Sequence, residues 1–406
     1  MKTKIIVICA LLSLSVCGMA QQQENSKFMS KEYLLKDTSF SKKLPVEEGE
    51  AICKNIQNII HTKSDFEKRK KEIKEQILYY TCLKKFHPNR KVNFVLNGKQ
   101  TVDGYTVENI ALEVLPGVWT YGNVYRPLDG KSKHPVMILA HGHSKQEIGP
   151  NCGRMSQTNQ TIAASLAKMG AMVFCYDMFG YGESGEQVGV KAHFTGLAQC
   201  MNLLGARSAI DWLVRQKDVD VTRIGMTGAS GGGTQTFYTT AIDDRITLSV
   251  PVVMVSSFFP GGCACESGRP IHTSVNPRTC NAEIAAMAVP RPMLVVSDGK
   301  DWTRMVDKLE YPFIKHIYSL YGKSDLVENV HLVQEGHDYG PNKRYAMYDF
   351  VAKYFKLDKK AMLGADGSYD ESRIKILPYD SLLVFHHHYP AHSVTSTERV
   401  FDLLAK

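Results

Sequence analysis

Ser230 stands in Gly228-Ala-Ser-Gly-Gly232, a G-x-S-x-G pattern at the point where the apolar stretch from Arg223 to Thr227 breaks into glycines. Such a pattern puts a serine on a cramped strand-to-helix turn, with glycines where side chains would collide. A serine hydroxyl is a weak nucleophile at neutral pH, so it needs a base to take its proton and an acid to orient that base. After an elbow of this kind the acid and then the histidine follow in chain order. His337, in Glu335-Gly-His-Asp-Tyr-Gly340, is the expected base. The loop Ser297-Asp-Gly-Lys-Asp-Trp302 offers two acids, and the position beyond the glycine favours Asp301 over Asp298. Glu266, in Gly261-Gly-Cys-Ala-Cys-Glu266, is a third candidate. Charge developing on an ester oxygen needs donors in place. The backbone N–H groups of Gly231 and of His143, in His141-Gly-His143 after an earlier apolar run, are the expected oxyanion hole. The imidazoles of His141 and His143 are left to packing or to substrate hydroxyls.

Arg269, Trp302 and Arg207, with Lys300, are candidate substrate contacts, because a guanidinium forks onto a carboxylate and an indole lies flat against a sugar face. Cys263-Ala-Cys265 with His272 and Cys280 resembles a zinc set, but C-x-C lacks a second pair at the usual spacing. A disulfide within that loop fits at least as well. His386-His-His388 and His392 read as surface histidines, and Asp177 as a structural turn residue. No metal and no cofactor is expected.

These residues need a scaffold. From Val92 to Arg126 the apolar period is close to two, with Asn97-Gly98 as a hairpin signal. Beyond it, apolar runs such as Pro135 to Ala140 and Ala171 to Tyr176 alternate with helical stretches. That alternation predicts an α/β fold with a mainly parallel central sheet flanked by helices. Residues 21–90 read as an N-terminal helical cap, with Lys68-Arg-Lys-Lys71 on its solvated face. Residues 91–355 read as the catalytic domain and 356–406 as a packed C-terminal extension.

The 406 residues, 44% hydrophobic and 22% charged, suffice for one large core. Met1-Lys-Thr-Lys4, the apolar run from Ile5 to Leu14 and the small-residue site at Gly18-Met-Ala20 predict a signal peptide over 1–20 and a periplasmic or secreted protein. A lipid on Cys17, after Leu14-Ser-Val, is the alternative. No later segment reaches the ~20 apolar residues of a membrane span. Processing at Ala20 leaves eight of the ten cysteines, and removes only Lys2 and Lys4 from a net charge of +8, leaving +6. That balance suits an anionic partner as well as it suits a generically basic surface. Nucleic acid is not expected, since no basic run interleaves with aromatics.

Leu139-Ala-His-Gly-His143, Asp177-Met-Phe-Gly-Tyr-Gly-Glu-Ser184, Thr227-Gly-Ala-Ser-Gly-Gly-Gly-Thr-Gln-Thr236, Gly261-Gly-Cys-Ala-Cys-Glu266, Ser297-Asp-Gly-Lys-Asp-Trp-Thr303 and Glu335-Gly-His-Asp-Tyr-Gly340 together resemble a family of bacterial carbohydrate esterases. This is the α/β-hydrolase family of acetylxylan esterases, including the pectin methylesterases that act on complex pectins in gut Bacteroidetes. The resemblance runs from about Val92 to Phe355. It implies Ser230 as nucleophile, His337 as base and Asp301 as acid. It also implies a plant polysaccharide as substrate, anionic pectin for the methylesterase branch and acetylated xylan or pectin for the other. Glucuronoyl esterases are similar in fold, but carry an arginine shortly after the serine where this chain has Gly232 and Gly233. A prolyl-oligopeptidase-like peptidase would use the same triad but brings a propeller domain that is absent from this sequence.

Overall fold

A computed structural model describes residues 27–36 and 42–406. The expected signal peptide over 1–20, and Cys17 within it, lie outside the described residues. Nine strands form one sheet: β1 (Asn93–Val102), β2 (Tyr105–Leu115), β3 (Val118–Pro127), β4 (His134–Ala140), β5 (Met172–Tyr176), β6 (Val219–Ala229), β7 (Leu248–Val252), β8 (Met293–Asp298) and β9 (Val327–Leu332). Their order is β1-β2-β3-β5-β4-β6-β7-β8-β9. β1, β2 and β3 pair antiparallel, β3 meets β5 antiparallel, and every pairing from β5 to β9 is parallel.

The helices are α1 (Lys31–Lys36), α2 (Val46–Gln57), α3 (Lys63–Tyr80), α4 (Gln157–Lys168), α5 (Gly182–Val188), α6 (Gly196–Leu213), α7 (Gly231–Ile242), α8 (Ala264–Ser267), α9 (Asn281–Ala286), α10 (Glu310–Ser319), α11 (Pro341–Phe355) and α12 (Thr397–Ala405). They cover both faces of the sheet, which is why the central strands β4, β5 and β7 are buried along their whole length. Side chains of β4 show the period of two: Val136, Ile138 and Ala140 enter one core with Leu203 of α6, Phe237 of α7 and Phe313 of α10. Met137 and Leu139 enter the other, with Ile162 of α4 and Met347 of α11. This is the α/β-hydrolase architecture.

Two local expectations are corrected. Asn97-Gly98 does not turn a hairpin; it is a bulge within β1, where the register with β2 shifts, and the turn falls at Asp103-Gly104. Gly98 has φ +70° and Asn97 donates its side-chain N–H to the carbonyl of Val384, so the same residue pair serves to admit the C-terminal segment. In the Lys68–Lys71 run, Arg69 is not solvated but buried, bonded to Glu283 at 2.8 Å. Helix period, rather than charge, decides this: Phe66, Arg69, Ile73 and Ile77 share the inward face of α3.

The segment after Phe355 is packed by polar contacts as well as by Leu382, Leu383 and Val384. The carbonyl of Leu382 accepts from Arg154 at 2.8 Å and from Asn123 at 3.1 Å. Val384 N–H donates to Glu183 at 2.9 Å. No helix among the described residues is long and apolar enough to cross a membrane.

Candidate functional site

β6 delivers Ser230 to the carboxyl end of the parallel strands, and α7 starts on the next residue. Ser230 has φ 57° and ψ −123°, a conformation that non-glycine residues occupy only when their surroundings enforce it. The enforcement is steric. A Cβ on Gly228 would lie 2.2 Å from the carbonyl oxygen of Ala140, and one on Gly232 would lie 2.1 Å from that same atom. β4 is therefore pressed against the turn from the side, and Ser230 N–H is tied to Val252 of β7 at 3.0 Å from the other.

The loop after β4 brings in His143. Gly142 packs so closely that its Cβ would meet the carbonyl oxygen of Ala229 at 2.7 Å, which lays the His141–His143 backbone over the elbow. His141 is buried there as a structural residue. Its Nδ1 lies 2.8 Å from the Gly142 carbonyl, and its Nε2 accepts from Met178 N–H at 2.9 Å. Burial pushes its pKa down to about 3, so it stays neutral.

The loops after β8 and β9 meet at the same strand ends. His337 Nδ1 lies 2.6 Å from Asp301 Oδ2, while Asp301 Oδ1 accepts from the N–H and hydroxyl of Thr303 at 2.5 and 2.6 Å. Burial raises the Asp301 pKa, but the bonds from His337 and Thr303 outweigh it and hold the carboxyl below its usual value. Asp298 faces away, 3.5 Å from Lys343 Nζ. Its own burial and the neighbouring Asp301 push it up to about 6. Glu266 caps α8, accepting from Gly262 N–H at 2.6 Å and Cys263 N–H at 3.3 Å. Of the three candidate acids, Asp301 is the one hydrogen-bonded to His337.

Ser230, His337, His143 and Trp302 line one cleft of about 470 Å³, whose wall continues through Asn151, Thr158 and Asn159. A second lobe of about 340 Å³ shares Ser230, His143 and Trp302, and adds Tyr181, Phe194 and Phe259. Trp302 is wedged between rings, with centroids 4.2 Å from His337 and 4.3 Å from Phe259. Its indole N–H has no hydrogen-bond partner. Among the described residues, none from 27–90 lines either lobe.

Arg269 and Arg207 do not reach this cleft, contrary to expectation. Arg269 is fully buried, donates to the carbonyl of Tyr80 at 2.6 Å and to that of Phe28, and lies over the Tyr33 ring. Arg207 is buried 3.6 Å from Asp243. A long side chain can spend its charge on interior carbonyls and carboxylates, and residue type alone does not tell this from a substrate contact. His386, His387, His388 and His392 are exposed, as expected.

The expected disulfide loop is also rearranged. All eight cysteines of the described residues are free thiols. His272 is bonded to Asn281 at 2.8 Å and takes no part in the cysteine cluster. Cys263 and Cys265 instead meet His143 and His193, with one ligand-type atom from each residue within 4.8 Å of all the others. His193 escaped the sequence reading, because it lies 50 positions from His143 in a short turn that no periodicity marks.

The X-Pro dipeptidyl-peptidase (S15) family matches residues 117–292, a span that includes the elbow and ends before Asp301 and His337. Methylesterase BT1017, a solved structure, is 39% identical, with a TM-score of 0.81 over 89% of this chain and 80% of its own. A glucuronoyl esterase from Solibacter usitatus is 15% identical, with a TM-score of 0.54 over 72% of this chain and 93% of its own, a likeness of fold. An uncharacterised 31.7 kDa Escherichia coli protein from the traX-finO intergenic region is 30% identical over 122 residues. That match spans 30% of this chain and 38% of the Escherichia coli protein.

Proposed function

The chain belongs to the α/β-hydrolase esterase family of methylesterase BT1017, and on that footing we propose that it is a secreted serine carbohydrate esterase removing methyl esters from galacturonic acid in pectin. The observation that carries the reading is the His337–Asp301 pair opening onto the same cleft as the strained Ser230. In this reading Ser230 Oγ attacks the ester carbonyl and its proton passes to His337 Nε2, while Asp301 holds Nδ1 and balances the imidazolium. The tetrahedral oxyanion takes the N–H groups of His143 and Gly231. Its collapse breaks the bond to the methoxy oxygen, which leaves as methanol with the proton from His337. Water, deprotonated by His337, then attacks the acyl-enzyme and frees Ser230 and a uronate.

The lining supports a sugar ester more than a row of carboxylates. Hydroxyls and amides of Ser156, Thr158, Asn151 and Asn159 suit sugar hydroxyls, and the Trp302–Phe259 stack suits a pyranose face. Among the described lining residues there is no lysine or arginine, while Asp338, Glu147 and Glu266 are present. A methylated uronate is neutral and fits such a wall. In this reading the basic net charge acts at the surface outside the cleft.

Incubation with methylated pectin and with acetylated xylan, reading methanol against acetate, tests the substrate. Methanol release, lost in a folded Ser230→Ala variant, is the expected result. Acetate without methanol moves the assignment to an acetyl esterase, and release of a proline dipeptide from a chromogenic amide moves it to the S15 chemistry. Export is proposed from residues 1–20. The mature chain is expected to begin at Gln21 by mass spectrometry, and a lipidated Cys17 overturns that processing.

A further inference from the structure

His193 is fully buried, and its Nδ1 lies 2.8 Å from the carbonyl of Phe179. A carbonyl only accepts, so Nδ1 carries the proton and Nε2 presents a lone pair. That lone pair points at His143 Nε2, 3.0 Å away, and His143 Nε2 in turn lies 3.3 Å from Cys265 Sγ. The Cys263 thiol completes the group, with all four atoms mutually within 4.8 Å. A single proton on His143 Nε2 can serve His193 or Cys265 well, but not both, and the Cys263 thiol makes a long 3.8 Å contact to the His193 carbonyl. A cation at the centre satisfies all four donors at once.

The dimensions favour zinc. With Zn–N of about 2.0–2.1 Å and Zn–S of about 2.3 Å, a tetrahedron has edges of about 3.3 Å between nitrogens and about 3.5 Å between nitrogen and sulfur. The observed 3.0 and 3.3 Å are within a few tenths of an ångström of these. Two thiolates with two imidazoles are a soft tetrahedral set, the type that selects zinc over the oxygen-seeking cations. The backbone carbonyl of Phe179 behind His193 is the partner that fixes a ligating imidazole in the right tautomer.

We propose that His143, His193, Cys263 and Cys265 bind one zinc ion as a closed, four-ligand structural site. The ion joins three separate segments: the loop after β4, the turn before α6, and the α8 loop. His143 thus has two tasks, a side chain on the metal and a backbone N–H beside Ser230. Zinc is a brace for the wall of the cleft, and its binding does not depend on which ester the enzyme takes.

The full-length protein, purified without chelator, is analysed for metal by inductively coupled plasma mass spectrometry. One zinc per chain is expected, falling to a trace in Cys263→Ser/Cys265→Ser. Since that variant can fold poorly, the wild-type protein is also stripped with chelator and titrated with Co(II). Tetrahedral visible bands and a thiolate charge-transfer band saturating at one equivalent support the site. Absence of stoichiometric zinc together with no such Co(II) spectrum overturns it, as does a Cys263–Cys265 disulfide found in the native protein by peptide mapping. Loss of esterase activity with metal content retained would speak against the esterase reading and leave the zinc site standing.

Discussion

Asp301 is the residue on which the candidate triad turns, because its two oxygens are divided between His337 and Thr303. One oxygen fixes the imidazole, and the other is itself held by a backbone N–H and a hydroxyl, so the carboxylate cannot swing away. Asp301→Asn keeps the shape but presents an amide that can stabilise the wrong tautomer, and it is expected to lower kcat by about 10⁴-fold, the loss seen for that change in serine proteases. Asp298→Asn is expected to leave kcat within an order of magnitude, since Asp298 faces Lys343; equal losses in the two variants refute the assignment. The same substitution carries a pH signature. The Asp301 pKa is lowered in the folded protein, so its stabilising effect is present above the ordinary carboxyl value of 3.8 and is lost as pH falls through the folded value. The difference in thermal midpoint between wild type and Asp301→Asn should therefore be full near neutrality and shrink in acid. At this scale the sequence is legible where a motif dictates a backbone shape, as at Ser230. It is not legible where a side chain's length leaves its destination open, as for Arg269 and Arg207.

The elements explain why residues from four distant loops share one cleft. Parallel strands all present their carboxyl ends to the same side, so the loops after β4, β6, β8 and β9 converge there without further instruction. Chain order through these parallel strands therefore places His143, Ser230, Asp301 and His337 at one end of the sheet. Glycine then sets the distances. Gly228 and Gly232 both bring the elbow against Ala140, so the turn that strains Ser230 is held by the neighbouring strand and not by its own hydrogen bonds alone. The failures of sequence reading occur where the elements are irregular. Asn97-Gly98 has the composition of a two-residue turn and forms a bulge, because β1 continues to pair with β2 on either side of it. His193 sits in a turn between two helices, where no period of two or 3.6 signals which way a side chain faces. The four-ligand cluster is accordingly a property of the assembled loops, and Cys263-Ala-Cys265 alone shows only half of it.

At the scale of the whole molecule, the N-terminal helices act as a buttress on one flank of the domain. α3 reaches it through Arg69, which donates to Glu283 at 2.8 and 3.1 Å and to the carbonyl of Pro277 at 2.6 Å. Both side chains of the pair are buried, so their attraction is offset by the desolvation of two charges. Burial raises the Glu283 pKa, and the bonds and charge of Arg69 oppose the rise. Removing one member is therefore worse than removing both. Glu283→Ala is expected to destabilise the protein by about 3–5 kcal/mol by removing the buried carboxylate partner and leaving the guanidinium only the Pro277 carbonyl and Glu72 at 3.4 Å, whereas Arg69→Met/Glu283→Leu is expected to be near neutral. Chemical denaturation of the two variants measures this directly, and equal losses would show that packing, not charge, joins α3 to the domain. Turnover per folded molecule should be unchanged in both, because no described residue from 27–90 lines the cleft. A fall in kcat with the fold intact would instead mean that the N-terminal helices position the loops around Ser230 from a distance.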